Sequence, residues 1–261
     1  EKPIAGRLAR LYAQRREVEK LSVLADTFVP RFPYDPVSAQ IVHSLGHALF
    51  SKGEIERILN TFPAWAEEFP DGAFVDSVDY WSGMSFLFAG DFPSALASFD
   101  ALIERNPGSV YVTEARFRRG VAHFGMGNYD ESWVILTEWV EGVSDHPLLP
   151  EAHAFLGDLD AIDAEVESAL AHYGMIETLG GSMALIDHGY FESASLLTAN
   201  KRYAEQSDLL ERYLDRYPES PAAPEAILRL AEAEREQGAL DRIFIRYRDG
   251  IERFGNRIES D

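Results

Sequence analysis

Two histidines four residues apart, His43 and His47, are the first residues in this sequence whose types and spacing suggest chemistry. On a helix that spacing puts both imidazoles on one side, where they can ligate one metal ion. A metal site needs further ligands, and no acidic residue occupies the matching positions of the neighbouring segments. The pair therefore reads as two polar groove or surface histidines, and no metal is expected. Asp79, Arg116 and His153 form a second set, spaced by 37 residues at a position otherwise given to a large core residue. On successive packed helices they would make an ionic ladder that holds register rather than a catalytic group.

Enzymatic signatures are missing. There is no G-x-S-x-G elbow, phosphate loop, H-E-x-x-H or dinucleotide fingerprint, and "GVAHFGMGNYDES" carries glycines without the strand such a loop needs. Acidic runs such as "AEAERE" and "DAEVES" have helical spacing and read as solvated faces. A carboxylate pair for glycoside hydrolysis is the one catalytic arrangement these runs leave open. No catalytic residue, cofactor-binding residue or cofactor is assigned, and the chain reads as a non-enzyme.

Composition narrows the partners. The 261 residues carry 44 acidic and 24 basic side chains, a formal net charge of −20, which repels phosphate-rich partners and argues against nucleic acid. Cysteine is absent, removing thiol catalysis, zinc ribbons and disulfides together. No stretch approaches 18 consecutive apolar residues, so direct membrane insertion is not expected. The start, "EKPIAGRLARLYAQRREVEK", is too charged for a signal peptide.

The elements that position all these residues follow a repeat. Ala9, Gly46, Gly83, Gly120, Gly157, Ala194 and Ala231 step by 37 residues, and so do Val18, Ile55, Phe92, Tyr129, Val166, Tyr203 and Leu240. The same offset joins Pro33, Pro70, Pro107 and Pro218, with Ser144, Gly181 and Gly255 between them. Each copy reads as two helices about a turn such as Gly90-Asp91. The junction "RYPESPAAPEAI" is a boundary because interior proline costs a helix about 3 kcal/mol. There Ser220 is expected to cap the next helix with Pro221 first, as Asp35-Pro36 and His146-Pro147 do. Pro63 is expected to kink or restart its helix, and Gly180-Gly181 to be a hinge or a variant loop.

The small, aromatic and proline positions Gly83, Phe86, Gly90, Phe92, Ala95, Phe99 and Pro107 resemble the tetratricopeptide repeat. The resemblance covers essentially the whole chain, and the 37-residue unit looks most like the longer repeats of bacterial envelope proteins. Those include the Tol-Pal accessory protein and the outer-membrane assembly lipoprotein. It implies an all-α, right-handed superhelix of seven helix-turn-helix units: 2–38, 39–75, 76–112, 113–149, 150–186, 187–223 and 224–260. These would make one domain, 1–261, cut from a longer array.

In that family the first helix of each repeat lines a groove. Carried over by position, the lining is His43, His47, Phe50, Tyr80, Met84, Leu87, Phe88, Phe117, Val121, Phe124 and Asp158. Glu151, Phe191, Glu225, Glu232, Arg235 and Glu236 continue it, so the lining is expected to change from apolar to acidic. The implied function is a scaffold gripping a peptide or helix of a protein partner in a periplasmic or envelope assembly. Two alternatives stand beside it: a carbohydrate or peptidoglycan-strand binder stacking sugars on Tyr80, Trp81 and Phe117, and a structural spacer that associates end to end.

Overall fold

In a computed structural model, which describes residues 2–254, the chain is all-α, with fourteen helices among the described residues. They fall into seven pairs: α1 (Lys2–Gln14) with α2 (Val18–Phe28), α3 (Pro36–Ser51) with α4 (Ile55–Glu68), α5 (Val75–Ala89) with α6 (Phe92–Arg105), α7 (Val112–Gly125) with α8 (Tyr129–Gly142), α9 (Leu149–Ile162) with α10 (Val166–Thr178), α11 (Met183–Ala199) with α12 (Tyr203–Arg216), and α13 (Ala223–Glu236) with α14 (Leu240–Phe254). Every second helix of a pair starts at one of the 37-spaced residues from Val18 to Leu240. First helices start less regularly, because the junctions before them differ in length.

The chain divides into two units, Glu1–Trp139 and Val140–Asp261. In the first unit α1, α3, α5 and α7 lie side by side, while α2, α4 and α6 each pack against the first helix of the following pair. The second unit repeats this with α9, α11 and α13 side by side and α10 and α12 against the next first helix. A first helix thus has neighbours on several sides, which is why α5 and α9 are buried nearly all round.

Small residues set the approach distance within pairs. A Cβ on Gly83 would come within 2.6 Å of the Phe99 ring, and one on Gly157 within 2.6 Å of the Tyr173 ring. Large residues on the second helix therefore press onto backbone on the first.

The turn inside each pair has its own fixed geometry. Arg16, Gly53, Gly90, Gly127, Ala164, Lys201 and Gly238, one per pair and 37 residues apart, all have φ between 57° and 78°. Junctions between pairs use another device. The Asp35 carboxylate accepts from the Val37 N–H at 2.9 Å, and Ser109, His146 and Ser220 accept likewise from Tyr111, Leu148 and Ala222. Asp35 with Pro36 is an N-cap as expected. Ser220 and His146 instead close a turn one step earlier: α13 begins at Ala223 and α9 at Leu149, so Pro221 and Pro147 precede the helices. Pro224 and Pro150 take the early helical places, where a missing N–H costs nothing.

Two expected irregularities resolve simply. α4 runs unbroken through Pro63, whose ring is exposed, so the backbone carbonyl it deprives of a partner can turn to water. Gly180, at φ 74°, ends α10, and the Gly181 N–H returns to the Ile176 carbonyl at 2.9 Å. Ser182 then caps α11 through the Leu185 N–H. The glycine pair is a helix stop followed at once by a helix start. Gly255 and the segment from Arg257 to Asp261 lie outside the described residues.

Candidate functional site

In the first unit, aromatic and imidazole side chains of α3 and α5 gather around one indole. Trp81 is buried, and its ring centroid lies 5.7 Å from His43, 6.0 Å from His47, 5.7 Å from Phe50 and 5.1 Å from Tyr80. Gly46 makes this possible: a Cβ there would sit 2.3 Å from the indole, so only glycine lets α5 bring Trp81 against α3. Phe50 meets Phe88 edge-on at 5.9 Å, and Phe88 is 71% exposed. Met84 and Leu87 are half-buried beside this cluster.

Polar bonds hold the cluster in place. The Tyr111 hydroxyl donates to His43 Nδ1 at 2.8 Å, and Trp81 Nε1–H points at the same nitrogen from 3.4 Å. His43 thereby keeps its proton on Nε2, facing outward. Burial pushes its pKa down, the His47 charge adds to this, and Asp76 opposes it. Tyr111 stacks on Tyr80 with centroids 4.7 Å apart and planes 16° apart. Asp76 accepts from Ser109 at 2.7 Å, tying the α6–α7 junction to α5.

Other expected lining residues sit elsewhere. Tyr80 is buried beneath Tyr111, and Phe117 is wholly buried, packed on Trp139 at 5.1 Å with the Arg118 guanidinium over its ring. Val121 and Phe124 are half-buried on α7, Phe124 against Tyr129. Of the expected set, the structure brings His43, His47, Phe50 and Phe88 together on one open face. Tyr111 and Asp76 carry no signal in the sequence, because Tyr111 belongs to the turn before α7 and both reach their partners, His43 and Ser109, only across packed elements.

The ladder of Asp79, Arg116 and His153 does not form. Asp79 is buried and pairs with Arg105 of α6 at 3.2 Å, whereas Arg116 is exposed on α7 and faces away. Burial, partly opposed by Arg105, pushes Asp79 up to about 6. His153 faces His172 of its own pair, with the Nδ1 atoms 2.8 Å apart. Since His172 Nε2 lies 3.6 Å from Asp160, the consistent proton arrangement is His153 Nδ1–H toward His172, and His172 Nε2–H toward Asp160. Partners at one repeat position are reached through the second helix of the same pair, which is nearer than the next first helix.

In the second unit Asp158 accepts from the Tyr173 hydroxyl at 2.9 Å and from His188 Nε2–H at 2.8 Å. The hydrogen bond His188 donates to Asp158 holds its pKa above the ordinary range. These two line an open cleft of about 450 Å³ with Glu151, Ala154, Phe155 and Leu185. His188 shares its repeat position with Glu151 and Glu225, a signal in the spacing that points to it. Phe191 lies under the Arg229 guanidinium, itself bonded to Glu225, while Glu232, Arg235 and Glu236 are exposed on α13. No cluster of three or more metal-ligating side chains occurs among the described residues.

Residues 82–133 match the sequence profile of the tetratricopeptide repeat. The fold is that of a tetratricopeptide-repeat protein. Solved structures agree with this fold. A repeat protein from Parabacteroides merdae is 13% identical with a TM-score of 0.60, covering 95% of this chain and 91% of its own. PilF of Pseudomonas aeruginosa is 12% identical with a TM-score of 0.64, covering 86% and 95%. A MamA protein is 14% identical with a TM-score of 0.57, covering 72% and 96%. At such identities the likeness establishes architecture alone. No curated protein sequence matches the chain. A tetratricopeptide-repeat scaffold implies protein–protein interaction, and no enzyme family is indicated.

Proposed function

We propose that this chain is a protein-binding scaffold whose α3–α5 face takes a peptide or helix of a partner protein, in a bacterial cell-envelope assembly. The observation that carries the binding site is the exposed Phe88 ring beside Phe50, His47 and His43, held rigid from beneath by Trp81 and Tyr111. Rigid aromatic rings bury large area with little entropy lost on binding. The envelope setting is supported by the 37-residue unit and its likeness to the longer repeats of envelope proteins. No described helix is long and apolar enough to cross a membrane, so any link to one would run through a partner or a part of the protein beyond these helices.

The carbohydrate alternative draws less support, because the rings taken as examples of its stacking surface, Tyr80, Trp81 and Phe117, are all buried. The test is recovery of a partner from bacterial envelope extract with the wild type and with a His47→Ala, Phe88→Ser variant. Both side chains are exposed, so the fold should survive, as circular dichroism would check. A partner recovered by the wild type and lost by the variant is expected. Equal recovery by a folded variant moves the interface off this face.

A further inference from the structure

We propose that the second unit binds a small organic acid in a cavity between α10, α11 and α12, apart from the protein-binding face proposed for the first unit. The cavity measures about 410 Å³ and reaches from Leu170 and Gly174 on α10, across α11, to Leu209 and Arg212 on α12. That is the size at which proteins hold small molecules.

Two small residues leave the room. Ser193 lines the cavity from α11, at a repeat position where Leu8, Leu45, Leu156 and Leu230 stand in four other copies. A leucine there would occupy space that the hydroxymethyl group leaves open. Gly174 adds to it: the same place carries Asp26, Pro63, Asp100, Thr137, Glu211 or Arg248 in the other copies, and a Cβ on Gly174 would meet nothing within 4 Å. No other copy combines serine and glycine at these two positions.

The polar groups of the cavity define its ligand. Ser193 is 4% exposed, and its hydroxyl has no hydrogen-bond partner among the described residues. A buried hydroxyl without a partner is costly, and a ligand oxygen would satisfy it. Arg212 is exposed at the other extreme of the lining and takes part in no hydrogen bond or ion pair among the described residues. The two carboxylates that line the cavity are already taken. Glu177 accepts from the hydroxyls of Tyr190 at 3.1 Å and Tyr217 at 2.5 Å and pairs with Arg216 at 2.7 Å, while two nitrogens of Arg202 hold Glu205 at 2.7 and 2.6 Å. An incoming cation would compete with those arginines, whereas an incoming carboxylate meets an uncommitted guanidinium whose planar fork matches it. The overall charge of −20 disfavours anions at long range, but physiological salt screens that field within about 8 Å, and Arg212 acts in contact. Leu170, Leu197 and Leu209 supply apolar walls. The ligand so defined has a carboxylate for Arg212, a hydrocarbon body for the leucines and a hydroxyl or carbonyl oxygen for Ser193.

Titration of the full chain with 4-hydroxyphenylacetate, followed by amide NMR shifts, tests this. Tyramine, which keeps the ring and hydroxyl and replaces the carboxylate by an ammonium group, is the control. Saturable shifts at Gly174, Gly189 and Ser193 are expected with the acid and not with the amine. Arg212→Gln should weaken the acid at least about tenfold, as loss of a charge-assisted pair does, and its exposed position leaves the fold intact. Ser193→Leu should abolish binding by filling the cavity, with melting at or above that of the wild type; should it fail to fold, Arg212→Gln still decides. The proposal is overturned if the acid gives no saturable shift at these amides, if tyramine binds as tightly, or if Arg212→Gln binds the acid as the wild type does.

Discussion

Asp79 in one unit and the His153–His172 pair in the other give this protein opposite responses to acidification. Asp79 binds its proton more tightly folded than unfolded, since burial raises it to about 6. Between about pH 4, where the unfolded carboxyl titrates, and about 6 the folded state holds the extra proton, so stability there falls as pH rises. His153 and His172 are both pushed down, first by burial, so the unfolded chain holds the extra protons below about pH 6.5 and stability falls as pH drops. Hydrogen exchange by segment should therefore show α5 and α6 better protected at pH 5 than at pH 7, and α9 and α10 less protected. Asp79→Asn should abolish the first trend and leave the second. At Gly46 the consequence is steric. Gly46→Ala should displace Trp81, destabilise by about 1–3 kcal/mol as overpacking does, and red-shift tryptophan fluorescence. An unchanged spectrum and melting curve would mean that the indole does not bear on that backbone.

Among the elements, the turn within each pair offers the cleanest comparison, because seven equivalent residues share one conformation. Four are glycine, and Arg16, Ala164 and Lys201 hold the same left-handed φ with a Cβ. That conformation costs a side chain roughly 1 kcal/mol, more than the backbone entropy glycine gives up. Nothing lies within 4 Å of a Cβ built on Gly90, so Gly90→Ala tests backbone strain alone and should cost about 1 kcal/mol. Ala164→Gly should recover about 0.5–1 kcal/mol, measured by denaturant midpoint. If both substitutions shift stability the same way, strain at this position is not what selects glycine. The turn requires the left-handed step so that the second helix can reverse onto the first. The 37-residue spacing is kept most strictly here and at the second-helix starts.

For the whole molecule the dominant field is its own charge. At −20, mutual repulsion opposes compaction, and although exposed pairs such as Arg202–Glu205 weaken in salt, 44 acidic against 24 basic side chains leave repulsion ahead. Raising sodium chloride from low concentration to about 0.5 M, where the Debye length falls to a few ångströms, should raise the melting temperature by a few degrees. A melting temperature that falls would mean the ion pairs outweigh the repulsion.

Much of this was legible in the order of residues. The 37-residue step, the all-α class, the paired helices and the glycine turns follow from local rules, since each depends on what a residue does to its own backbone and to neighbours one turn away. That His43, His47 and Phe50 share one side of a helix was legible too, because spacings of four and three residues place them there. What tertiary packing alone decided is which side chains stay open. Phe117 and Tyr80 occupy the same repeat positions and chemistry as surface candidates, yet neighbouring helices cover them. Asp79 took Arg105 and His153 took His172, instead of meeting along one row. Exposure and pairing depend on the angle and distance between helices far apart in sequence. Those are set by contacts such as Trp81 on the bare backbone of Gly46, which the spacing permits and does not reveal.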